Sequence, residues 1–338
     1  MSTIYGKPLF IGSAKPKVPE IFGTGADGDL YIPAGETVTL PVPVPHQSVI
    51  EKNYKSITIE AGGTLTTADY NAGLVLRCQG DCTIHGTIDQ SGKAPKTNPD
   101  STYPYPEELQ CGDGGAGGNG GMFSTHEDSF GTGGAGMSKR PYGGGYSGGG
   151  GGGGGNTDTY RGQPGGSAAE ITVDTEDSLM FYGATGAAGQ NGGGGCGGYN
   201  AGSGVSGGSG PGGAGRSAPN GQGGGAGGAG NIGGGVALLY VGGAALIDGS
   251  IDCSGKSGGN GGGAAYGSGG GSGGGAGGGA VYILHMGTQT ITGSLNVSGG
   301  NPGAAGAAGG PSNIFHNGSS GAAGGIGTAT VKQYEETA

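Results

Sequence analysis

The side chains best suited to acid–base or metal chemistry are concentrated between residues 107 and 128. Such chemistry needs carboxylates and imidazoles to be held close together on a rigid scaffold. This stretch instead mixes them with glycines and polar residues, as a solvated loop does. We therefore interpret the group as polar surface and expect neither an active site nor a metal site there. Its members are Glu107, Glu108, Asp113, His126, Glu127 and Asp128.

The other histidines and the glycine motifs do not favour catalysis either. His46, His85, His285 and His316 are isolated in the sequence. The chain has no H-E-x-x-H motif, no nucleophile elbow and no phosphate loop that leads into an α-helix. Gly-x-Gly-x-x-Gly patterns recur, but they carry no information in a chain with 96 glycines among 338 residues. We expect a protein that is not an enzyme and that uses no cofactor.

Two short motifs could suggest a disulfide or a calcium site. Five cysteines are an odd number, and Cys78 and Cys82 flank Gln-Gly-Asp, which is typical of a hairpin turn. A local disulfide is sterically conceivable, whereas the C-x-x-x-C spacing lacks the second half of a zinc site. We favour reduced thiols, with a disulfide formed late as the alternative. Asp27 and Asp29 are too few ligands for calcium, and their D-G-D sequence predicts a turn.

Aromatic and arginine side chains at breaks in the glycine tracts are better suited to binding than to catalysis. Tyrosine and arginine at the tips of a rigid scaffold offer a large contact area at a small entropic cost. The alternative is that each aromatic ring only covers the end of a glycine tract. The candidates for receptor contact are Tyr142, Tyr146, Tyr160, Arg161, Tyr199, Tyr266, Ile314, Phe315 and His316.

Glycine recurs at every third residue through long parts of the chain, which predicts how these loops are held. Three residues per turn is the repeat of a polyproline II helix, which has no internal hydrogen bonds. The pattern therefore predicts a bundle of polyglycine II helices whose backbones hydrogen-bond to one another. A flexible linker would not keep this period, and collagen needs an uninterrupted repeat with much proline. The glycines predicted to pack between backbones include Gly183, Gly186, Gly189, Gly192, Gly195, Gly198, Gly224, Gly227, Gly230, Gly258, Gly261, Gly270, Gly273, Gly303, Gly306, Gly321 and Gly324.

Short apolar strands punctuate the tracts and repeat as a unit. Ile84 to Gly92 matches Ile247 to Gly255 and Ile291 to Gly299, and each copy follows an apolar strand and precedes a glycine tract. The fold class is predicted as mostly β and irregular with essentially no α-helix. A small strand platform, or solenoid-like ladder, would project glycine helices as hairpins with tips near 264–268 and 311–317.

The strand pattern also predicts the organisation of the chain. We expect an extended N-terminal docking arm over 1–21, a strand-rich attachment domain over 22–93 and a glycine-rich domain over 94–338. Strand units of the last domain are predicted at 170–182, 236–254, 280–298 and 328–336.

The net charge and the length of the apolar segments limit the classes of partner that we expect. A formal charge of −10 and a pI near 4.8 argue against nucleic acid or an anionic membrane as partner. No segment is predicted to act as a signal peptide, and no run of about 20 apolar residues predicts membrane insertion. We expect the chain to stay where it is made or to leave by lysis.

Three segments resemble the glycine-rich tail and receptor-binding proteins of tailed bacteriophages. They are Phe22 to Asp29, Tyr54 to Leu65 and Thr83 to Gly92, the last followed by a glycine-rich region. The architecture is also similar to the polyglycine II adhesin at the tail-fibre tip of T-even-like phages, although the N-terminal region lacks its Trp-rich docking segment. The resemblance implies a virion protein that is made in the host cytoplasm and released by lysis. It would attach to other virion proteins through its N-terminal region and bind a bacterial surface protein or polysaccharide through its loops.

Other function classes remain open at this point. A purely structural fibre or decoration protein of the capsid or tail could use the same lattice without a receptor. Some ice-binding proteins also resemble the glycine-every-third arrangement, and a bacterial surface protein is a further alternative.

Overall fold

The computed structural model describes residues 18–45, 48–71, 73–94, 232–263, 271–309, 317–318 and 320–335. These residues contain fifteen β-strands, one 3₁₀ helix (Glu20–Phe22) and no α-helix. None of them forms a helix of the length and apolarity that a membrane crossing requires. The strands are β1 Asp29–Ile32, β2 Thr37–Leu40, β3 Val49–Tyr54, β4 Ser56–Ile59, β5 Thr64–Thr67, β6 Gly73–Cys78, β7 Cys82–Ile84, β8 Thr87–Asp89, β9 Val236–Val241, β10 Ala245–Ile247, β11 Ser250–Asp252, β12 Ala280–His285, β13 Gln289–Ile291, β14 Ser294–Asn296 and β15 Thr328–Gln333.

The strands form three parallel five-stranded sheets that are wound as one solenoid. Sheet A has the order β1-β4-β7-β10-β13, sheet B has β2-β5-β8-β11-β14, and sheet C has β3-β6-β9-β12-β15. Each successive group of three strands visits sheets A, B and C in turn, so the described residues make five coils, numbered 1 to 5 from β1–β3 to β13–β15. The prediction of a mostly β fold built from repeated strand units is therefore confirmed, in its solenoid-like form.

The repeated sequence unit explains the register of the coils. Ile84, Ile247 and Ile291 are direct partners in sheet A, and Ile88, Ile251 and Leu295 are direct partners in sheet B. Alternate residues of each strand point into the solenoid, so in-register copies place apolar side chains in continuous columns. Among the predicted strand units, 170–182 lies outside the described residues.

The turn at residues 79–81 was expected to be a hairpin, and this prediction is wrong. The segment joins β6 of sheet C to β7 of sheet A, so it is a corner between two sheets. A short run containing glycine and aspartate indicates a change of direction, but it does not distinguish a hairpin from a solenoid corner.

The three central strands of sheet C, β6, β9 and β12, are buried on both faces. Their inner face contributes Leu76, Leu239 and Ile283 to the core of the solenoid, and their outer face contributes residues such as Leu238 and Tyr282 to a second apolar cluster. Strands covered on both faces read as continuous apolar runs, as Val236–Val241 and Ala280–His285 do.

The strands before and after the longest glycine-rich segment share the same sheets. Strand β6 pairs with β9, β7 with β10 and β8 with β11. Residues 95–231 are thus inserted between β8 and β9, inside coil 3. The predicted boundary at residues 93 and 94 also falls inside this coil.

Candidate functional site: the corner that carries the glycine segments

All glycine segments of the described chain leave the solenoid at one corner, between sheets B and C. Coils 1 and 2 cross this corner with short connections, 41–48 and 68–72. Coils 3, 4 and 5 cross it with residues 90–235, 253–279 and 297–327. We call this edge the B–C corner. Because the coils are in register, the segments of coils 4 and 5 are stacked upon one another along the solenoid axis, and the described ends of the coil 3 segment hydrogen-bond to the segment of coil 4.

The glycine segment of coil 4 runs out and back. Its outgoing part (253–263) and its return part (271–279) are antiparallel and joined by main-chain hydrogen bonds. The donors of these bonds are three residues apart: Gly273 N donates to Gly259 O (2.9 Å), Ala276 N to Lys256 O (3.1 Å) and Gly279 N to Cys253 O (2.7 Å).

The glycine segment of coil 5 repeats this arrangement and packs on that of coil 4. Its outgoing part (297–309) and return part (320–327) are antiparallel, since Gly324 N donates to Gly300 O (2.9 Å) and Gly327 N to Val297 O (2.7 Å). Between the two coils the bonds are again three residues apart. They join Gly255 N to Ser298 O, Gly258 N to Asn301 O, Gly261 N to Ala304 O, Gly275 N to Ala322 O and Gly278 N to Gly325 O, at 2.8–2.9 Å.

Glycine is required where these backbones approach most closely. A β-carbon on Gly258 would overlap the carbonyl oxygen of Gly273, and one on Gly324 would overlap that of Ala276. Gly303 and Gly321 have the same relation to main-chain carbonyls. Gly261 and Gly273 take part in the hydrogen bonds described above, and Gly306 O accepts from Gly318 N.

A buried polar network lies where the glycine segment of coil 3 begins. Asn71 and Gln90 are fully buried, and Asn71 Nδ2 donates to Gln90 Oε1 (3.1 Å) and to Thr67 Oγ1 (2.9 Å). Lys93 Nζ donates to the carbonyl of Thr67 (2.7 Å). Buried side-chain amides are costly unless they are hydrogen-bonded. The network therefore fixes the path by which the chain leaves sheet B in coil 3.

Each sheet B strand of coils 3 to 5 ends in the same local turn. Oδ1 of the last strand residue accepts the main-chain N–H of the serine two positions later. The pairs are Asp89 with Ser91 (2.8 Å), Asp252 with Ser254 (2.9 Å) and Asn296 with Ser298 (3.2 Å). These are Asx turns, which redirect the backbone out of the strand. The repeated pattern of Asp or Asn, any residue and Ser, directly before glycine, was the sequence signal that could have located them.

Hydrogen bonds close the base of the loop 309–317, which joins the outgoing and return parts of the coil 5 glycine segment. Ala308 N donates to Asn317 Oδ1 (2.8 Å), and Gly318 N donates to Gly306 O (2.9 Å). These bonds hold the two ends of the loop 309–317 together. The contribution of Asn317 was not recognised from the sequence.

The residues predicted to contact a receptor lie outside the described part of the chain. Two groups of them fall in loops whose bases are described: Tyr266 in 264–270, and Ile314, Phe315 and His316 in 310–316. The other candidates, Tyr142, Tyr146, Tyr160, Arg161 and Tyr199, fall in 95–231, as do the predicted glycines between Gly183 and Gly230; Gly270 also lies outside.

The N-terminal segment is anchored on sheet C at the end of the strands that lies away from the B–C corner. Phe22 is buried and meets the ring of Tyr334 edge-on at 5.3 Å between centroids. Arg77 donates through Nη1 to the carbonyl of Ile21 and through Nε to Glu51 (2.6 Å), and its guanidinium lies 4.7 Å from the ring centroid of Tyr240. Sequence patterns gave no sign of this role for Arg77.

The remaining reactive groups of the described residues have ordinary structural environments. Cys78, Cys82 and Cys253 are free, buried thiols, and burial raises the pKa of each, that of Cys78 to about 11. Asp27 accepts hydrogen bonds from Asn53 N (2.6 Å) and Lys52 Nζ (3.0 Å), and these two bonds lower its pKa.

The described residues contain no group of three or more potential metal ligands. His85 Nδ1 lies 2.6 Å from Asp248 Oδ1, forming an exposed pair that links coils 3 and 4.

Comparison with known proteins adds no relative. No protein-family model, no curated protein and no solved structure matches the chain.

Proposed function

We propose that this chain is a bacteriophage virion protein, such as a tail-fibre tip or adhesin, which binds a bacterial surface receptor without catalysing a reaction. In this proposal the glycine segments form a bundle of polyglycine II helices, and the loops between the helices contact the receptor. The receptor is a surface protein or polysaccharide. The chain is made in the host cytoplasm and released by lysis.

The observation that carries the proposal is the closed base of the loop 309–317. Paired antiparallel segments, cross-linked every third residue, end in a hydrogen bond between Ala308 N and Asn317 Oδ1. Fixing the two ends of a loop lowers the conformational entropy that the residues between them must lose on binding, and this interval of the sequence contains Phe315.

The hydrogen-bond spacing supports the polyglycine II assignment. In such a helix every third N–H points to the same side and none bonds within its own helix. Residues 275 and 278 donate to one neighbouring segment, whereas 273, 276 and 279 donate to another. Donors in different phases thus serve different neighbours, as a packed bundle of threefold helices requires.

The placement of the N-terminal anchor supports an attachment role for the preceding residues. Phe22 and Arg77 lie toward the Cys78 end of sheet C, whereas the glycine segments join this sheet at the Gly73 end. A six-residue strand spans about 20 Å. The N-terminal arm and the glycine segments therefore start from opposite ends of the strands of sheet C. This arrangement suits attachment to a particle at one end and receptor contact at the other.

Binding of the labelled full-length chain to a panel of bacterial strains tests the proposal. One variant replaces residues 311–316 with a Gly-Ser sequence of equal length and keeps Ala308 and Asn317. We expect it to lose at least about tenfold in cell binding, because a few large side chains carry most of the binding energy of an interface. A matched control, Thr58→Ser with Thr83→Ser on the outer face of sheet A, should bind normally.

The outcomes distinguish adhesion from a purely structural role. Equal binding by the loop variant and the control contradicts receptor contact at this loop. Virions that are labelled by an antibody to the chain while the purified chain binds no strain indicate a structural fibre or decoration protein. Absence of the label from virions contradicts the virion assignment.

A further inference from the structure

The position two residues before each sheet C strand forms a column through four coils. Strand pairing aligns Val236 with Ala280 and Ala280 with Thr328, and it aligns Leu74 with Ala237. The column positions that follow from this register are Asn71, Gly234, Gly278 and Ile326 in coils 2 to 5.

In coils 3 and 4 this position faces the outgoing segment of the next coil. A β-carbon on Gly234 would overlap the carbonyl oxygen of Cys253, and one on Gly278 would overlap that of Val297. Cys253 and Val297 are equivalent residues, since each directly follows the sheet B strand of its coil. Glycine at the column position of coils 3 and 4 therefore makes room for the glycine segment of the next coil. In coil 2 the buried Asn71 takes this position, and its side chain hydrogen-bonds to Gln90 of coil 3.

The last coil differs from coils 3 and 4 at this position. Ile326 occupies the column position in coil 5, and 73% of its surface is exposed. One turn earlier, the exposed Ala323 stands at the position of Gly275, whose β-carbon would overlap the carbonyl oxygen of Gly300. Side chains thus fill the space that the outgoing segment of a sixth coil would need.

The core columns of the solenoid change in the same coil. Gln289 continues a column formed by Leu30, Ile57, Cys82 and Ala245. Gln333 ends another column, which runs through Tyr54, Cys78, Val241 and His285. Both glutamines are exposed, so a further coil would have to bury two amide side chains.

We propose that coil 5, with its glycine segment, is a terminal cap that excludes a further coil from the end of the stack, including a coil offered by a second copy of this chain. Repeat proteins need an end unit with a polar outer surface, because unpaired strand edges otherwise recruit other chains. In this chain the cap ends both the three sheets and the stack of glycine segments. Gln289 and Gln333 end the sheets, and Ala323 and Ile326 end the glycine bundle.

A chain lengthened by one coil tests the proposal. A second copy of residues 286–335 is joined after Gln333, and hydrogen exchange measures the protection of its amides. In the unchanged background we expect the added coil to exchange as an unfolded segment does. With Gln289→Val, Ala323→Gly and Ile326→Gly in the first copy, we expect at least about tenfold slower exchange in the added coil.

Controls separate a cap from a loss of folding. Ala304→Gly with Ala307→Gly removes two exposed methyl groups elsewhere in the glycine bundle and should leave the added coil unprotected. Exchange in β9 and β12 reports whether the parent solenoid is intact. Ile326→Gly alone serves if the triple variant unfolds, and it should give partial protection.

Two results overturn the cap. One is equal protection of the added coil in the unchanged and substituted backgrounds, whether high or low. The other is concentration-dependent association of the natural full-length chain in sedimentation equilibrium that Ile326→Lys abolishes, since the end of the stack would then already accept a second copy.

Discussion

Gly278 lies directly against the main-chain carbonyl of Val297, the residue that follows the sheet B strand of the next coil. Gly234 has the same relation to Cys253 one coil earlier. The contact therefore recurs with the spacing of the coils. It couples the return part of one glycine segment to the outgoing part of the next, so the solenoid sets the register between neighbouring glycine segments.

Replacing Gly278 with alanine should destabilise the fold strongly. The added methyl group would meet a main-chain carbonyl, which cannot rotate away, so the segments must separate. We expect a loss of about 1–3 kcal/mol or more in the free energy of unfolding, measured by urea denaturation followed through tyrosine fluorescence.

Gly263→Ala is the matched control. A β-carbon on this exposed residue would have the carbonyl oxygen of Ala307 as its nearest atom, at 3.6 Å, which is an ordinary contact. Alanine also restricts the unfolded chain, so we expect no loss of stability at this position. Equal destabilisation at residues 263 and 278 would contradict the close packing of the glycine segments.

Replacing Asn71 with alanine should disrupt the root of the coil 3 excursion. Gln90 Oε1 would lose the donor that Asn71 Nδ2 supplies and would remain buried. An unpaired buried polar atom costs about 1–3 kcal/mol, and we expect a fall of that size in the free energy of unfolding. Asn301→Ala removes an exposed asparagine and should cost little. Similar small losses for both variants would show that the Asn71 network does not stabilise this corner.

The sequence predicted the strand units because their pattern is local and repeated. Ile84, Ile247 and Ile291 stand at the same place in three similar segments, and such copies favour parallel stacking in register. The out-and-back course of the glycine segments in coils 4 and 5 was also predictable, because each segment begins and ends at a strand.

The arrangement around the B–C corner was not predictable, because it depends on contacts between distant residues. Asn71 and Gln90 are 19 positions apart, and no sequence motif links one to the other. The β-carbon at residue 278 would meet Val297, not a residue of its own segment. The recurrence of glycine at every third residue therefore indicates close packing, but it does not reveal which backbone each glycine contacts. Receptor contact by loop residues such as Phe315 remains a prediction.

Replacing Arg77 with alanine should release the N-terminal anchor. Arg77 joins the carbonyl of Ile21 to the carboxylate of Glu51, and its guanidinium stacks on Tyr240. Without it we expect amides of residues 20–24 to exchange at least about tenfold faster, because the segment loses its main polar attachment. Arg77→Lys keeps the charge but lacks the planar group with several donors, so it should give an intermediate rate. Unchanged exchange in Arg77→Ala would show that Phe22 alone holds the segment.

The Cys78 thiol should give the fold a specific sensitivity to alkaline pH. Burial raises its pKa from an ordinary value of 9.0 to about 11, so the folded chain keeps a proton that the unfolded chain loses. The resulting contribution to stability is complete below pH 9 and is lost as the pH rises toward 11. We expect the free energy of unfolding to fall over this interval, and to fall less steeply in Cys78→Ala. Burial also raises the pKa values of four other groups, which contribute in the same direction in both chains: Cys82, Cys253, Tyr54 and Tyr240. Identical slopes for the two chains, measured by urea denaturation from pH 8 to 11, would contradict a buried thiol at this corner.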